Sequence, residues 1–307
     1  MMDAIRIADN KRVVFKKVET RSQEIPIATF LSSKENRADS RNCAVPILDV
    51  ILVPSDDDYA LLAMPHLLHF EDLPFRRLGE FCEFAIQMLE VRSFMFPMGP
   101  SVSSREESYS QVILLAHHIA SDMCWGNLML DTSKTIPNGH HFSDWSTEDG
   151  LRKPIQWKER WKVRPNQYHI IDFGISVRCP PEATGVVGFG VWGQDRSVPE
   201  MTGGTAVFDP FKTDIYQLGN VFKQCIERYD GLGRFSPLAD WMTSKDPAAR
   251  PTISEAVQMC KQVIRKTERS WRMSKRIWRA DAPAYLQEAL PLKLKLMIVC
   301  SCYNPLL

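Results

Sequence analysis

Ser121-Asp-Met-Cys-Trp-Gly-Asn-Leu-Met-Leu130 and, further along, Tyr168-His-Ile-Ile-Asp-Phe-Gly-Ile-Ser176 are the stretches that decide the fold. In the first, Asp122 and Asn127 stand five residues apart. In the second, an apolar strand runs into Asp172-Phe173-Gly174. Carboxylate, amide, second carboxylate, in that order, is the donor set that phosphoryl transfer from a nucleotide requires. One carboxylate sits beside the attacking hydroxyl, and the amide and the other carboxylate hold magnesium against the phosphates. Either stretch alone is weak, because the spacing recurs by chance. Their order and their flanks give them force.

The chain has 307 residues, 44% hydrophobic and 24% charged, enough for one large two-lobed domain or two ordinary ones around a sizeable core. A net charge of +1 gives no bulk attraction for nucleic acid, and none is expected as a partner. The eight cysteines (Cys43, Cys82, Cys124, Cys179, Cys225, Cys260, Cys300, Cys302) form no C-x-x-C, and the chain is far longer than a disulfide scaffold. Reduced thiols in an intracellular setting, cytoplasmic or nuclear, are the expectation. The N-terminal MMDAIRIADNKRVV has no apolar signal-peptide core, and the C-terminal Asn-Pro-Leu-Leu has no prenylation cysteine. No apolar run approaches the ~18 residues of a membrane helix, so no transmembrane segment is expected.

Alternation predicts strands at Ala4–Ile7 and Arg12–Val18, with Val14, Lys16 and Val18 on one face, and further strands at Pro46–Val53 and Tyr59–Met64. Ser22–Ser33 reads as a helix with Pro26 in its first turn. Leu78–Val91 is an amphipathic helix with Phe81, Phe84, Ala85 and Met88 on one face. Phe94–Ser110, rich in serine with Pro97, Gly99 and Pro100, reads as an exposed loop. Val112–Ile119 is apolar and leads to Asp122, and Thr132–Gln167 reads as a long polar loop. Asp214–Arg228 is a buried helix, and another follows Pro251-Thr252. Strands first and helices after predict an α+β fold, a small β-rich part on a larger helical one.

On these residues the chain resembles the eukaryotic protein kinase superfamily, in particular the divergent kinase-like proteins abundant in basidiomycete fungi. The resemblance runs from about Arg12 to about Lys266 and implies a bilobal kinase-like fold. Residues 1–68 would be a truncated N-lobe reaching the hinge, 69–270 a helical C-lobe with catalytic loop and activation segment, and 271–307 a C-terminal tail. It implies ATP and Mg²⁺ as cofactors, and a protein as substrate or binding partner. Lys16 matches the lysine on the α- and β-phosphates, and Glu24 the helix glutamate that holds it. Val14 would cover the adenine and Met129 would lie beneath it. Met64 matches the gatekeeper, followed by hinge residues Pro65 and Leu67, whose backbone groups would meet adenine. Asp122 matches the catalytic aspartate, Asn127 the asparagine on magnesium and Asp172 the magnesium aspartate. Glu200 of Val198-Pro199-Glu200 and Arg250 of DPAARPT match a structural ion pair. Asp214 and Gly219 match the D-x4-G of a buried helix, with Asp214 expected to serve the backbone beneath the catalytic loop.

The chain departs from the family at four places. No glycine-rich phosphate loop precedes Lys16, and Ala120-Ser121 replaces the His-Arg before the catalytic aspartate. Cys124 stands where serine/threonine kinases keep a lysine, and the Phe94–Ser110 loop interrupts a helix. The function that the resemblance implies is ATP-dependent phosphorylation of a protein hydroxyl. The alternative is a pseudokinase, a nucleotide- or protein-binding module, which the departures support. A small-molecule phosphotransferase is a third reading, opposed by Glu200 and Arg250. Plainer readings stand beside these. Lys16 alone reads as a surface lysine, Glu24 has Arg21 as a rival partner, Asp172 alone is a turn carboxylate, and His117-His118 and His140-His141 lack a third clustered ligand. Lys261–Arg279 carries eight basic residues against one acidic residue, Glu268, and reads as a solvated terminal helix face; docking to an acidic partner or a membrane surface is the alternative.

Overall fold

The computed structural model describes residues 1–54, 56–95, 118–120, 122–179, 188–189, 193–203, 207–267 and 272–281. Mixed α/β structure is observed, with a small antiparallel sheet followed by several helices. The sheet has the order β1-β2-β4-β3, formed by β1 (Met2–Arg6), β2 (Lys11–Glu19), β3 (Asp49–Val53) and β4 (Asp56–Pro65). Val14 and Val18 of β2 are buried while Lys17 and Glu19 face water, as a half-buried pleat requires. The register sets Val14 opposite Met64, Lys16 opposite Leu62 and Val18 opposite Ala60. In the turn between β1 and β2, Asn10 takes φ 56°, which its short polar side chain tolerates. The apolar run from Pro46 joins the ladder only at Asp49. Pro46 has no N–H to give, and the Ile47 N–H donates instead to Ser32 Oγ at 2.8 Å.

Between β2 and β3 lie α1 (Glu24–Leu31) and the single turn α2 (Lys34–Arg37). Pro26 sits in the first turn of α1, where its missing N–H costs no helix bond, and Ile27, Ala28 and Leu31 are buried. The Asn42 side chain fastens the exit from both helices, donating to the carbonyls of Leu31 and Asn36 and accepting from the Ala44 N–H. The chain then touches a second, three-stranded sheet of order β5-β7-β8: β5 (Leu68–His69), β7 (Leu128–Leu130) and β8 (Tyr168–Ile170). Ile170 N–H donates to the Cys43 carbonyl at 2.8 Å and Val45 N–H to the Ile170 carbonyl at 2.9 Å. Only His66 and Leu67 separate β4 from β5, so the two sheets are tied at two places.

Among the described residues the helical part comprises α3 (Leu78–Met95), α4 (Pro210–Arg228), α5 (Ser236–Met242) and α6 (Ile253–Thr267). Phe81, Phe84, Ala85 and Met88 of α3 are buried in an aromatic core. There Phe84 stacks on Phe70 at 4.5 Å, and Phe81 meets Phe235 edge-on at 5.0 Å. Asp209 caps α4 by accepting from the N–H groups of Phe211 and Lys212, with Pro210 in the first helical position. Short pairings complete the fold: β6 (His118–Ala120) with β9 (Val177–Cys179), β10 (Gly188–Phe189) with β11 (Val207–Phe208), and β12 (Tyr229–Asp230) with β13 (Trp278–Arg279). No helix among the described residues is long and apolar enough to cross a membrane.

Two sequence expectations are corrected. Phe94 and Met95, read as the start of a loop, belong to α3, which continues to Met95 with Arg92 and Met95 still on its buried face. Its remainder from residue 96, the apolar run as far as His117, and the place where a helix was expected to break all lie outside the described residues. The basic helix face expected up to Arg279 does not extend that far: the helix is described to Thr267, and residues 272–279 are not helical. Residues 272–279 instead turn back along the start of α3: Gly79 N–H donates to Met273 O, Leu78 N–H to Lys275 O and Ile277 N–H to Arg76 O. The cause is burial of Ile277, 2% exposed, and the pairing of β13 with β12. Cys300, Cys302 and the chain after residue 281 lie outside the described residues. The long stretch 132–167 is irregular as expected, apart from one 3₁₀ turn at Arg160–Lys162. It is anchored by Arg160, which donates to the carbonyls of Phe70 and Leu73 and to the Tyr168 hydroxyl.

Gly219 lets α4 and α5 approach closely. A Cβ there would lie 2.8 Å from Met242 Cβ and 2.8 Å from Thr243 Cγ2. Alanine gains ~1 kcal/mol of helix propensity, but overpacking costs ~1–3 kcal/mol. Gly219→Ala should therefore lower stability by up to ~2 kcal/mol in urea denaturation. Gly233→Ala, with nothing within 4 Å of the new methyl, should stay within ~0.5 kcal/mol.

Candidate functional site

Lys16 projects from β2, in the row that includes the buried Val14 and Val18, and its ammonium meets two carboxylates from distant parts of the chain. One is Glu24, at the start of α1, in a short hydrogen bond. The other is Asp172, whose Oδ1 lies 2.9 Å from Lys16 Nζ. Arg21, the rival partner for Glu24, lies instead 3.6 Å from Asp58 at the surface. Burial pulls the lysine pKa down, and the bonds to Glu24 and then Asp172 more than reverse it, so it lies above its ordinary value. Asp172 follows β8 and takes φ 64°, a left-handed conformation that costs a non-glycine residue roughly 1–2 kcal/mol. Its Oδ1 also accepts from the Gly174 N–H at 3.1 Å. A Cβ on Gly174 would fall 3.1 Å from Asp172 Oδ1 and 3.2 Å from Glu24 Oε2, so glycine keeps this polar cradle open.

Asp122 and Asn127 occupy the turn before β7. Asn127 Nδ2 donates to the Asp122 carbonyl at 2.9 Å, folding the loop onto itself. The Asp122 carboxylate is 6% exposed and both of its oxygens accept hydrogen bonds. Gln217 Nε2 donates to Oδ1 at 2.6 Å, and Gln194 N–H to Oδ2 at 3.2 Å. Burial raises the Asp122 pKa, and the charge of Asp172 adds to the rise. Gly193 lies against the same carboxylate, where a Cβ would come within 2.7 Å of Oδ1. Cys124 donates its thiol to Asp122 Oδ2 at 3.5 Å, and burial pushes that thiol to about 12, so it stays neutral. The oxygen donors of Asn127 and Asp172 suit a hard cation such as magnesium, which keeps water and phosphate oxygens in its shell and needs few protein ligands. Among the described residues no group of three or more His, Cys, Asp or Glu could hold a metal by itself.

The residues assigned to adenine are divided between the two sheets. Val14 and Met64 face each other across β2 and β4, 7% and 6% exposed, and Pro65 closes β4 opposite Val13. As a proline, Pro65 has only its carbonyl to offer. Leu67 is half-buried in the two-residue link to β5, and Met129 is half-buried on β7 between His69 and His169. The link is braced by His66, which donates its N–H to the Arg12 carbonyl at 3.4 Å and packs its ring 4.2 Å from His140. Burial lowers both imidazoles to about 4, which keeps them neutral at pH 7.

Glu200 and Arg250 meet in a two-pronged ion pair, with both N···O distances 2.6 Å and Arg250 2% exposed. Arg250 also donates to the carbonyls of Ser244 at 2.8 Å and Lys212 at 2.9 Å and lies over the Tyr216 ring. It closes a 3₁₀ turn, and the helix expected after Pro251-Thr252 begins at Ile253. Asp214 pairs with Arg92 of α3, Oδ2 to Nε 3.1 Å, a partner that the sequence did not indicate. From α4 Gln217 reaches the Asp122 turn, donating to Asp122 and accepting from the Met123 N–H at 3.1 Å. Gln217 shares the buried face of α4 with Asp214, Leu218 and Val221, so a polar residue in an apolar stripe was its signal. Arg92 carried the same signal, one helical turn beyond Met88. Gln194 carried none.

Set against protein-family models the chain matches none, and a search of curated proteins finds no match.

Removing one side of a buried pair leaves the other charge unmatched, at ~3–5 kcal/mol. Arg250→Ala should cost that much in denaturant unfolding, while the exposed Lys245→Ala stays within ~0.5 kcal/mol. The raised pKa of Lys16 gives a second expectation. A cation whose folded pKa exceeds its unfolded value near 10.5 contributes stability in full below that pH and loses it as pH rises through the folded value. Lys16→Met should cost about 2–3 kcal/mol at pH 7, somewhat under the fully buried range because the ammonium keeps some water contact. The gap between wild type and variant should close as unfolding is measured at increasingly alkaline pH.

Proposed function

We propose that the chain is a protein kinase-like phosphotransferase that binds MgATP and passes its terminal phosphoryl group to a protein hydroxyl. The observation that carries this reading is the meeting of Lys16, Glu24 and Asp172. The lysine and Asp172 lie 156 residues apart in sequence, and both bear on one small polar cradle beside Asn127's turn. A bilobal arrangement belongs to the proposal, with the four-stranded sheet and α1 as the smaller lobe and α3 to α6 as the larger. On this reading Lys16, held in place by Glu24, receives phosphate oxygens. Asn127 and Asp172 hold the metal, which when bound neutralises charge on those oxygens. Val14, Met64, Leu67 and Met129 enclose the base. Asp122 takes up the proton of the acceptor hydroxyl, and the rise in its pKa strengthens it as a base.

One observation favours a second reading, a pseudokinase that works as a binding module. Both Asp122 oxygens are already engaged, by Gln217 and by the Gln194 backbone, and Gly193 closes over them. An acceptor hydroxyl could reach the carboxylate only after the Gly193–Gln194 segment moved. Calorimetric titration with ATP, with and without magnesium, tests nucleotide binding. Ligand at ~100-fold over Kd should add roughly 2.7 kcal/mol of stability. Asp172→Ala should abolish the magnesium dependence, and equal affinities in both proteins would defeat the metal assignment. Asp122→Asn should bind ATP nearly as wild type does while transfer of labelled phosphate falls strongly. Binding without detectable transfer by the wild type, to a peptide library or to itself, would establish the second reading.

A further inference from the structure

Two basic, tryptophan-bearing stretches, residues 153–164 and 272–279, are far apart in sequence and meet at the start of α3. Gly79 marks the closeness of the meeting, since a Cβ there would run into both the Trp161 ring and the Met273 carbonyl. At the centre is Glu159, a buried carboxylate facing three guanidinium groups. Arg76 Nη1 lies at 3.3 Å, Arg77 Nη2 at 3.7 Å and Arg276 Nη1 at 3.8 Å. The nearby Glu80 brings a second negative charge, but its oxygens already accept from the backbone N–H groups of Arg76, Arg77 and Trp161. Arg77 Nη1 donates to Ser274 O at 2.7 Å, and only Arg76 is within hydrogen-bonding distance of Glu159. Three guanidinium groups thus crowd one carboxylate that answers a single donor. Burial, and then the like charge of Arg76, hold the Arg276 pKa below its ordinary value.

The geometry suits an incoming oxyanion. Arg76 lies over the Trp157 ring at 4.4 Å and Arg276 over Trp278 at 4.8 Å. A guanidinium stacked on an indole keeps its in-plane N–H edge for forked bonding to oxygen. The three arginine side chains remain 16%, 28% and 25% exposed, so a ligand can reach them. A phosphate monoester carries close to two negative charges on three acceptor oxygens, enough to answer the surplus. Lys158 and Lys162 on one stretch and Lys275 on the other are exposed, which suits acidic residues flanking such a group. Stacked bases are less well served, because guanidinium groups already cover faces of Trp157 and Trp278.

We propose that Arg76, Arg77 and Arg276 form a site for the phosphate group of a phosphorylated peptide. The site is independent of the nucleotide cradle and of the activity assigned to it. The test is fluorescence anisotropy on the full chain, with a labelled phosphoserine peptide of acidic flanks and its unphosphorylated twin. The phosphorylated peptide should bind about tenfold or more tightly, with inorganic phosphate as a competitor. Arg76→Gln and Arg276→Gln should each weaken it by about tenfold. Arg276→Lys, which keeps the charge and loses the fork, should fall between. Glu159→Gln, which removes the internal rival, should tighten it; a carboxylate that merely staples three arginines would give no such gain. Thermal melts certify each variant as folded, and should Arg276→Gln not fold, phosphate competition and Glu159→Gln still decide. Equal binding of the two peptides would overturn the proposal, even if inorganic phosphate binds. So would tighter binding of a single-stranded oligonucleotide or of phosphatidylserine vesicles, lost in the same variants.

Discussion

An ammonium group largely withdrawn from water has to be matched by carboxylates, and in this chain Lys16 draws them from two remote segments. Its side chain is 17% exposed, too little for solvent alone to carry the charge. Glu24 answers from the first turn of α1, which fixes how that helix lies on the sheet. Asp172 answers from the end of β8, and to do so adopts a left-handed backbone that its own bond to the Gly174 N–H helps to hold. The cost of that backbone, roughly 1–2 kcal/mol, is smaller than the cost of leaving a largely buried cation unmatched. One charge therefore joins the four-stranded sheet, its helix and the three-stranded sheet, and creates a polar cradle in an otherwise apolar region.

The helical part follows the same rule with arginine. Arg250 is closed in by Glu200, two backbone carbonyls and the Tyr216 ring, and Arg92 is matched by Asp214. Arg160 takes a different route: its guanidinium group is answered by the carbonyls of Phe70 and Leu73 and by the Tyr168 hydroxyl, and it lies over Phe75 at 4.4 Å. Guanidinium presents five donors in a rigid fork, so one buried arginine can order several irregular segments that make few backbone bonds of their own. That explains how residues 132–167, almost devoid of regular structure, still hold Tyr168 and the strand leading to Asp172 in place.

What could be read from sequence follows from the range of the forces involved. β2, α3 and α4 were legible because alternation and helical periodicity are local. Their ends were less so: α3 overran its expected limit with Arg92 buried beside Asp214, a partner more than a hundred residues away that no local pattern announces. The course of residues 272–279 was missed for the same reason, since Ile277 is buried by a strand pairing that no local pattern announces. Lys16, Glu24 and Asp172, and likewise Glu200 and Arg250, were singled out from the order of motifs, and the structure brings each set together. Gln194 had no local signature, because its contact with Asp122 depends on how the segment after residue 192 returns to the turn.

That return sets the chemical character of the site. Burial raises the Asp122 pKa, while the amides of Gln217 and Gln194 hold the carboxylate in place and, by favouring its charged form, partly offset that rise. The same amides, Gln217 from the rigid interior of α4 and Gln194 from an irregular segment, differ in what it takes to withdraw them. Gln217 is 2% exposed and also accepts from the Met123 N–H, so it belongs to the framework. Gln194 contributes its backbone N–H, and its side chain adds only a 3.4 Å contact to Asn127. Uncovering Asp122 on this side means displacing the Gly193–Gln194 segment, whose backbone N–H shares Oδ2 with the Cys124 thiol and Asn127 Nδ2, whereas the contacts of Lys16 with Glu24 and Asp172 do not involve that segment. On the proposed reading, nucleotide binding and phosphoryl transfer would be separable, the first resting on the Lys16 cradle and the second on the Gly193–Gln194 segment over Asp122.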